Sequence, residues 1–183
     1  MFFLQILLDF RDFAPYYLVA DGTKREKMGY LLLGSSTARL DKSGRLKIPE
    51  KFRTALEERY GKDLFVTSLT DSAIHIFPLP IWLKLTGVTQ EDTIQFRPSV
   101  QSLLVRVSHM GTVCQIDPKG RVLISPHLRQ KAQLNGEVEV LGINDNHLQL
   151  WNRDVLIKKV EANPLTDEDW ESISRLSSRG RNE

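Results

Sequence analysis

A short segment of this chain occurs twice, and the repeat limits the folds that the chain can adopt. The first copy is Leu40–Pro49, LDKSGRLKIP, and the second is Ile116–Pro126, IDPKGRVLISP. Aligning Asp41 with Asp117 gives an offset of 76 residues, which also pairs the glycine, the arginine and a later isoleucine of the two copies. A repeated unit of this size cannot enclose a core alone, so we expect it to bury its apolar face against its copy.

Composition is typical of a globular protein rather than a secreted or membrane protein. The chain has 183 residues and is 41% hydrophobic, which suffices for a sizeable core. Its single cysteine, Cys114, cannot form an internal disulfide and lies in a strand-like segment, which indicates a small buried thiol. Charged residues interrupt the apolar start well before the roughly 20 residues of a membrane span. We therefore expect a cytoplasmic protein with no membrane partner.

Each copy lies within the same predicted order of elements. In the first copy, apolar alternation on both sides of the polar turn predicts a hairpin, and Pro49 opens a helix that extends to Tyr60. In the second copy, Ser125 caps a helix that stops at Asn135 and Gly136. The later strands are expected at Asp63–Thr67, Ala73–Phe77, Glu137–Leu141 and His147–Trp151. Each repeat is therefore predicted to be ββαββ, within an α+β fold that is mainly β.

The rest of the chain is arranged around these repeats. Residues 1–34 are expected to form an N-terminal arm, and Met28 leaves open the alternative that the start is over-long. The segments that follow are predicted to be repeat 1 at 35–81, a helical connector at 82–110, repeat 2 at 111–154, C-terminal helices at 155–176 and a disordered tail at 177–183.

The polar turn of each copy is expected to hold one arginine at a fixed angle. Gly44 tolerates a positive φ, and the Asp41 carboxylate can accept hydrogen bonds from the backbone N–H groups that follow it. The second copy has the same residue types, so the turn-orienting residues are predicted to be Asp41, Gly44, Asp117 and Gly120. The first turn then presents Arg45, and the second presents Arg121.

Basic residues concentrate at both copies, although the net charge of the chain is only +2. Eight lysines and arginines lie at 39–62 against four acidic residues, and four lie at 117–131 against Asp117 alone. A basic focus within an otherwise acidic chain is typical of a protein that binds a polyanion. The alternative is that these charges only solvate the surface.

The doubled Asp-x-x-Gly-Arg turn, the proline-led helix and the two strands after it resemble the MraZ family of bacterial transcriptional regulators, over about residues 35–162. The Asp-x-x-x-Arg signature of that family is matched by Asp41 with Arg45 and by Asp117 with Arg121. The resemblance implies a pseudo-twofold β-barrel of two SpoVT/AbrB-type repeats with swapped hairpins and peripheral connector helices. It also implies a homo-oligomeric ring whose exposed turns bind short direct repeats, usually repressing its own division and cell-wall gene cluster.

Double-stranded DNA is therefore the expected partner, and the protein is expected to associate with the nucleoid. Arg45 and Arg121 are predicted to read bases, because a guanidinium group can donate two hydrogen bonds to guanine. Phosphate contacts are predicted for Lys42, Lys47 and Lys119. An open alternative is that each arginine braces its own turn by pairing with its aspartate, and both roles can coexist. Arg53 and Arg129 are expected to have a surface or interface role.

Two other functional classes are alternatives to a regulator. An enzyme is disfavoured because the four histidines lack paired metal spacing and the chain has no glycine-rich phosphate loop or nucleophile turn. No catalytic residue, metal or cofactor is expected, and His75 and His147 are interpreted as sheet residues. An AbrB-type antitoxin or protein-interaction module is the alternative function. Such antitoxins usually carry one motif copy and a disordered toxin-binding tail, whereas this chain has two copies and a short tail, which favours the regulator.

Overall fold

A computed structural model describes residues 31–70, 72–86 and 98–179 of the chain. The chain divides into two compact units, the first ending at Asn152 and the second beginning at Arg153. Most of the predicted N-terminal arm, part of the predicted connector and the end of the predicted tail lie outside the described residues. Within the described ranges, no helix is long and apolar enough to cross a membrane.

The first unit consists of two ββαββ repeats with two helices between them. Repeat 1 contains β1 (Gly34–Arg39), β2 (Arg45–Lys47), α1 (Glu50–Tyr60), β3 (Asp63–Thr67) and β4 (Ala73–Pro78). The helices α2 (Leu79–Leu85) and α3 (Pro98–Met110) follow. Repeat 2 contains β5 (Thr112–Gln115), β6 (Arg121–Leu123), α4 (Pro126–Lys131), β7 (Glu137–Ile143) and β8 (His147–Trp151). The predicted order of elements is confirmed in both copies.

Strand pairing joins the two repeats. The strands form a six-stranded sheet in the order β1-β7-β8-β4-β3-β5 and a two-stranded ribbon of β2 and β6. The first strand of each repeat pairs with the third strand of the other repeat, and all pairings are antiparallel. The fold is α+β and mainly sheet, as the sequence predicted. The six-stranded order is open, with β1 and β5 at its edges.

The core lies between the ribbon, the two short helices and one face of the sheet. The ribbon contributes Leu46 and Val122, α1 contributes Phe52, and α4 contributes Leu128, each with at most 1% of its surface exposed. The sheet strands of both repeats supply further buried aliphatic side chains, among them Ile74, Ile76, Val138, Val140, Leu148 and Leu150. Burying each such side chain stabilises the fold by about 1.5–3 kcal/mol. Because the same core holds both repeats, neither repeat has a core of its own.

The other face of the sheet is covered partly by α2 and α3. The Trp82 ring of α2 stacks on Phe65 of β3, with ring centroids 4.3 Å apart. The Thr67 hydroxyl of β3 donates a hydrogen bond of 3.1 Å to the Val107 carbonyl of α3. The two helices between the repeats therefore attach to the sheet through repeat 1.

Two histidines are buried on neighbouring central strands. His75 lies in β4 and His147 in β8, with ring centroids 5.7 Å apart. Burial lowers the pKa of His75 to about 4. Burial and the neighbouring His75 lower the pKa of His147 to about 3. Both rings are therefore uncharged near neutral pH. The two residues occupy sheet positions, as the sequence predicted.

Helix ends in the first unit depart from the prediction in two places. Pro49 precedes α1 in an extended conformation, with φ −54° and ψ 137°, rather than opening the helix. The helix α4 ends at Lys131, before the predicted stop, and Gln133 then adopts a positive φ of 53°. The predicted Ser125 cap is confirmed, since its hydroxyl accepts a 3.4 Å hydrogen bond from the N–H of Leu128.

The second unit contains α5 (Arg153–Glu161) and α6 (Asp167–Arg179). Thr166 caps α6 as predicted, because its hydroxyl accepts a 3.3 Å hydrogen bond from the N–H of Asp169. The Asp169 carboxylate accepts a 2.9 Å hydrogen bond from the Thr166 N–H in return. The helix continues to Arg179, past its predicted end at Leu176, so residues 177–179 of the predicted tail are helical.

Candidate functional site

Two hairpin turns with one backbone geometry lead into the ribbon strands: turn 1, Asp41–Arg45, and turn 2, Asp117–Arg121. In turn 1 the N–H of Asp41 donates to the Arg45 carbonyl at 2.9 Å, and the N–H of Gly44 donates to the Asp41 carbonyl at 2.9 Å. Turn 2 has the same two hydrogen bonds, at 2.9 and 2.8 Å. This pattern is a tight turn followed by a glycine bulge, which twists the hairpin and fixes the residue after the glycine.

The glycine of each turn is required for two reasons. Gly44 has φ +80° and Gly120 has φ +73°, which disfavour residues with a side chain. In addition, a Cβ atom on Gly44 would lie 2.7 Å from the guanidinium of Arg129, and one on Gly120 would lie 2.7 Å from Cδ of Arg53. The helix of each repeat therefore places an arginine over the turn of the other repeat. Turn chemistry in the sequence predicts the positive φ but not these covering arginines.

In turn 1 the aspartate orients the backbone, while the arginine side chain stays unengaged. The Asp41 carboxylate accepts hydrogen bonds from the N–H groups of Ser43 and Arg45, both at 2.9 Å. The bond from Arg45, followed by that from Ser43, holds the pKa of Asp41 below its ordinary value. Arg45 is exposed, and its guanidinium makes no hydrogen bond or ion pair with any residue that the structure describes. Its donors are therefore available to a ligand.

In turn 2 the aspartate orients both the backbone and the arginine. The Asp117 carboxylate accepts hydrogen bonds from the N–H groups of Lys119 and Arg121, at 2.8 and 2.9 Å. It also accepts one from Nε of Arg121 at 2.9 Å, and Nη1 of Arg121 lies 4.0 Å from the Asp41 carboxylate. Desolvation raises the pKa of Asp117, but the hydrogen bonds from Arg121 and Lys119 outweigh it and hold the pKa low. The internal brace left open by the sequence is thus present in turn 2.

Side chains of the ribbon alternate between the core and the surface. Leu46 pairs with Val122, and both are fully buried. Their neighbours along each strand project to the opposite side, where Arg45 faces Leu123 and Lys47 faces Arg121. The outer ribbon face is therefore defined by Arg45, Lys47, Arg121 and Leu123. The side chain of Arg121 retains 29% of its surface, and the other three residues are exposed.

Backbone hydrogen bonds connect the ribbon to both turns. The N–H of Ile124 donates to the Gly44 carbonyl at 2.9 Å, and the N–H of Ile48 donates to the Gly120 carbonyl at 3.0 Å. Each ribbon strand therefore continues its pairing into the turn of the other repeat, and the turns lie at opposite ends of the ribbon. Lys42 and Lys119 are exposed in the two turns. All five predicted contact residues thus lie on the ribbon or on the turns that flank it.

A cleft of ≈ 300 Å³ adjoins turn 1, and its charged lining residues are mainly basic. Arg39, Lys42 and Arg129 line it together with Asp41. Nε of Arg129 donates to the Ile124 carbonyl at 3.1 Å, which anchors the side chain over the turn. The equivalent Arg53, by contrast, forms an ion pair with the Glu50 carboxylate of its own helix. Available positive charge is therefore greater at turn 1.

Chemically, the outer ribbon face and its turns can bind an anion and donate paired hydrogen bonds to a planar acceptor. Burial raises the pKa of the Cys114 thiol to about 11, so this group stays protonated near neutral pH. Among the residues that the structure describes, no three His, Cys, Asp or Glu side chains are grouped closely enough to hold a metal ion.

The two repeats coincide with a match to one protein family. The family model, described as "MraZ protein, putative antitoxin-like", matches residues 31–96 and again residues 110–175. The chain is similar to Transcriptional regulator MraZ of Acidobacterium capsulatum, with 33% identity over 143 residues, 78% of this chain and 97% of that protein. The protein of the same name from Koribacter versatilis is 32% identical over 148 residues, 78% and 97% of the two chains. That of Nitrosomonas eutropha is 35% identical over 125 residues, 65% and 79% of the two chains.

Proposed function

This chain belongs to the MraZ family, and we propose from this that it is a DNA-binding transcriptional regulator rather than an enzyme. The proposal rests on the outer ribbon face, where Arg45, Lys47 and Arg121 lie together beside two rigid turns. The relatives described above carry the name Transcriptional regulator MraZ, which supports the same function. A two-stranded ribbon fits the major groove of DNA, where base edges differ most.

In this proposal the residues divide between base recognition and phosphate binding. Arg45 and Arg121 donate paired hydrogen bonds to guanine, each held by a turn whose backbone is fixed from within. The Asp117 carboxylate accepts the hydrogen bond of Nε of Arg121, and the Nη groups, of which Nη1 lies 4.0 Å from the Asp41 carboxylate, donate to the base. The lysines proposed to bind phosphates are Lys42, Lys47 and Lys119.

The finer features implied by the family are part of the proposal. The protein forms a homo-oligomeric ring in the cytoplasm, associates with the nucleoid, and represses its own division and cell-wall gene cluster by binding short direct repeats. A ring is supported by the small size of the site, because one chain offers two arginines and therefore reads few base pairs. Several subunits on repeated sites would provide selectivity through avidity.

We also propose that the ribbon closes the sheet into a barrel with swapped hairpins. The exchange of β1 and β5 between the repeats supports the swap. A bridge between Leu40 and Leu46 supports closure, because it connects the end of β1 to the ribbon. The N–H of Leu40 donates to the Gly136 carbonyl at 2.8 Å and that of Ile116 donates to the Lys62 carbonyl at 3.0 Å, so both edge pairings continue toward the turns.

The replacement Arg45→Ala tests the proposed function, with Arg45→Lys as the matched control. Arg45→Ala is expected to abolish the preference for the chain's own upstream DNA over unrelated DNA, because it removes the paired donors. Arg45→Lys keeps the positive charge but lacks the paired donors of the guanidinium group. It should therefore retain nonselective affinity for DNA and lose the preference for the upstream DNA. Mobility shifts measure both, and light scattering checks that the assembly is unchanged. Undiminished selectivity in Arg45→Ala contradicts the proposal.

A protein-interaction module is the second candidate, favoured by the antitoxin-like description of the family and by the surface of the second unit. Exposed apolar side chains there include Ile157, Val160, Leu165 and Trp170, with 46 to 65% of their surface accessible. Such residues are typical of a partner-binding surface when they lie together. Co-purification of a small toxin at fixed stoichiometry would favour this candidate over the regulator.

A further inference from the structure

Leu123 is an apolar side chain on an otherwise cationic face. It retains 54% of its surface, while the rest of the outer ribbon face consists of Arg45, Lys47 and Arg121. At the 76-residue offset its counterpart in repeat 1 is Lys47, so the two repeats differ chemically at this one ribbon position. The difference removes a charge from repeat 2 and places a branched hydrocarbon beside the arginines.

The fold does not need Leu123 for its core. Its neighbours Val122 and Ile124 are fully buried and supply the core contacts of this strand. Single exposed apolar residues are common on protein surfaces, so exposure by itself carries no conclusion. The position is informative instead, because Leu123 is paired directly with Arg45 and lies two residues from Arg121 on the same face. A ligand that both arginines contact therefore lies next to Leu123.

The ribbon fixes the backbone positions of these three residues relative to one another. Residues paired across an antiparallel ribbon have Cβ atoms about 4.5–5.5 Å apart, so Arg45 and Leu123 are adjacent on the outer ribbon face. The backbone bond from Ile124 to Gly44 fixes the residue directly after Leu123 to turn 1. Leu123 therefore cannot move away from Arg45 without breaking the pairing.

We infer that Leu123 is a specificity-determining residue that contacts the 5-methyl group of a thymine adjacent to the guanine bound by Arg45. The inference rests on the proposed DNA-binding function and adds an apolar contact to it. In the major groove, thymine is the base that presents a methyl group, and apolar side chains are its usual partners. Phosphates and sugars offer Leu123 no comparable apolar group. The outer ribbon face would thus read guanine and thymine together.

Removal of single methyl groups from the DNA tests this inference. The probe is the duplex that the full-length protein protects in its own upstream DNA, with each thymine replaced in turn by deoxyuridine. At one or two positions the replacement is expected to weaken binding about fourfold, the effect of one apolar methyl contact. Leu123→Ala should bind the unmodified duplex more weakly, and the same replacements should then have no further effect.

Leu123→Lys is the matched variant, because it installs the residue of repeat 1. Removing the thymine methyl group is expected to have no effect on the affinity of this variant. One added phosphate contact should also make the plot of log affinity against log salt concentration steeper, by about 0.9 in slope. The inference is overturned if deoxyuridine weakens Leu123→Ala as much as the unmodified protein. It is also overturned if Leu123→Ala changes the mass of the assembly in light scattering, which would assign Leu123 to a subunit contact. If the unmodified protein shows no preference for its own upstream DNA, the proposed function itself fails.

Discussion

Turn 1 and turn 2 have the same backbone hydrogen bonds but hold their arginines differently. The guanidinium of Arg45 is unengaged within the described part of the chain, whereas that of Arg121 is bonded to Asp117. Of the two arginines that cover the turns, the one over turn 1 likewise has no acidic partner among the described residues, whereas the one over turn 2 has one. Arg129, over turn 1, donates to a backbone carbonyl, while Arg53, over turn 2, is paired with a carboxylate. Turn 1 therefore presents more uncompensated positive charge.

The comparison shows which features a duplicated site must keep and which can change. Main-chain hydrogen bonds and the glycine fix the turn, and both are the same in the two copies. Side chains outside this framework have diverged, since Glu50 corresponds to Pro126 and Lys47 corresponds to Leu123 at the same offset. The two turns therefore share one backbone geometry but differ in the charge around them. Such a pair is suited to making different contacts with the two parts of one asymmetric ligand.

The largest expected effect comes from removing the glycine of either turn. Gly44→Ala and Gly120→Ala should each lower the free energy of unfolding by about 2 kcal/mol or more, from backbone strain of about 1–2 kcal/mol and the displaced arginine. In Gly120→Ala the obstructing atom is Cδ of Arg53, and in Gly44→Ala it is the guanidinium of Arg129, whose Nε is bonded to the Ile124 carbonyl. Urea unfolding measures these losses.

Gly136→Ala is the control for these two variants. Gly136 has φ +67°, but no atom lies within 4 Å of a Cβ built there. This replacement should therefore cost only the backbone strain, about 1–2 kcal/mol. Equal losses in all three variants would show that the covering arginines do not support the turns.

A smaller effect is expected from removing the charge of the turn aspartates. Asp117→Asn keeps an oxygen for the backbone N–H groups but removes the partner of Arg121, so selective affinity for the upstream DNA should fall about fivefold as the side chain loses its orientation. Asp41→Asn should change selectivity less than about twofold, because Asp41 makes no side-chain hydrogen bond with Arg45 and lies 4.0 Å from Nη1 of Arg121, a weak contact at the surface. Fluorescence anisotropy with specific and unrelated duplexes measures both. A larger loss in Asp41→Asn would reverse the proposed difference between the turns.

The smallest effect concerns the covering arginines and appears in the salt dependence. Arg129→Ala should reduce the log–log slope of DNA affinity against salt by about 0.9, since it removes an uncompensated charge beside turn 1. Arg53→Ala removes a charge that Glu50 already pairs with, so its slope should stay close to that of the unmodified protein. Titrations at several salt concentrations measure the slopes. Equal reductions in the two variants would mean that the two turns present the same charge to DNA.

The sequence predicted the local parts of this fold and not the parts that depend on how the repeats pack. Strands and capping residues follow from periodicity and side-chain chemistry within a few residues, and the Ser125 and Thr166 caps were predicted on that basis. The covering positions of Arg53 and Arg129 depend on strand exchange between repeats, which no short segment encodes. The sequence also could not predict that the side chain of Arg121 bonds to its aspartate while that of Arg45 does not, because both copies have the same aspartate-to-arginine spacing.

The exchange of edge strands has a consequence for how this surface can vary. Two separate half-length chains could form the same pairings only as a symmetric dimer, in which every substitution appears on both halves at once. A single chain that contains both halves is free of that restriction, so one ribbon strand carries Lys47 while the other carries Leu123. Covalent linkage thereby allows a nearly symmetric scaffold to match a base sequence that is not a palindrome.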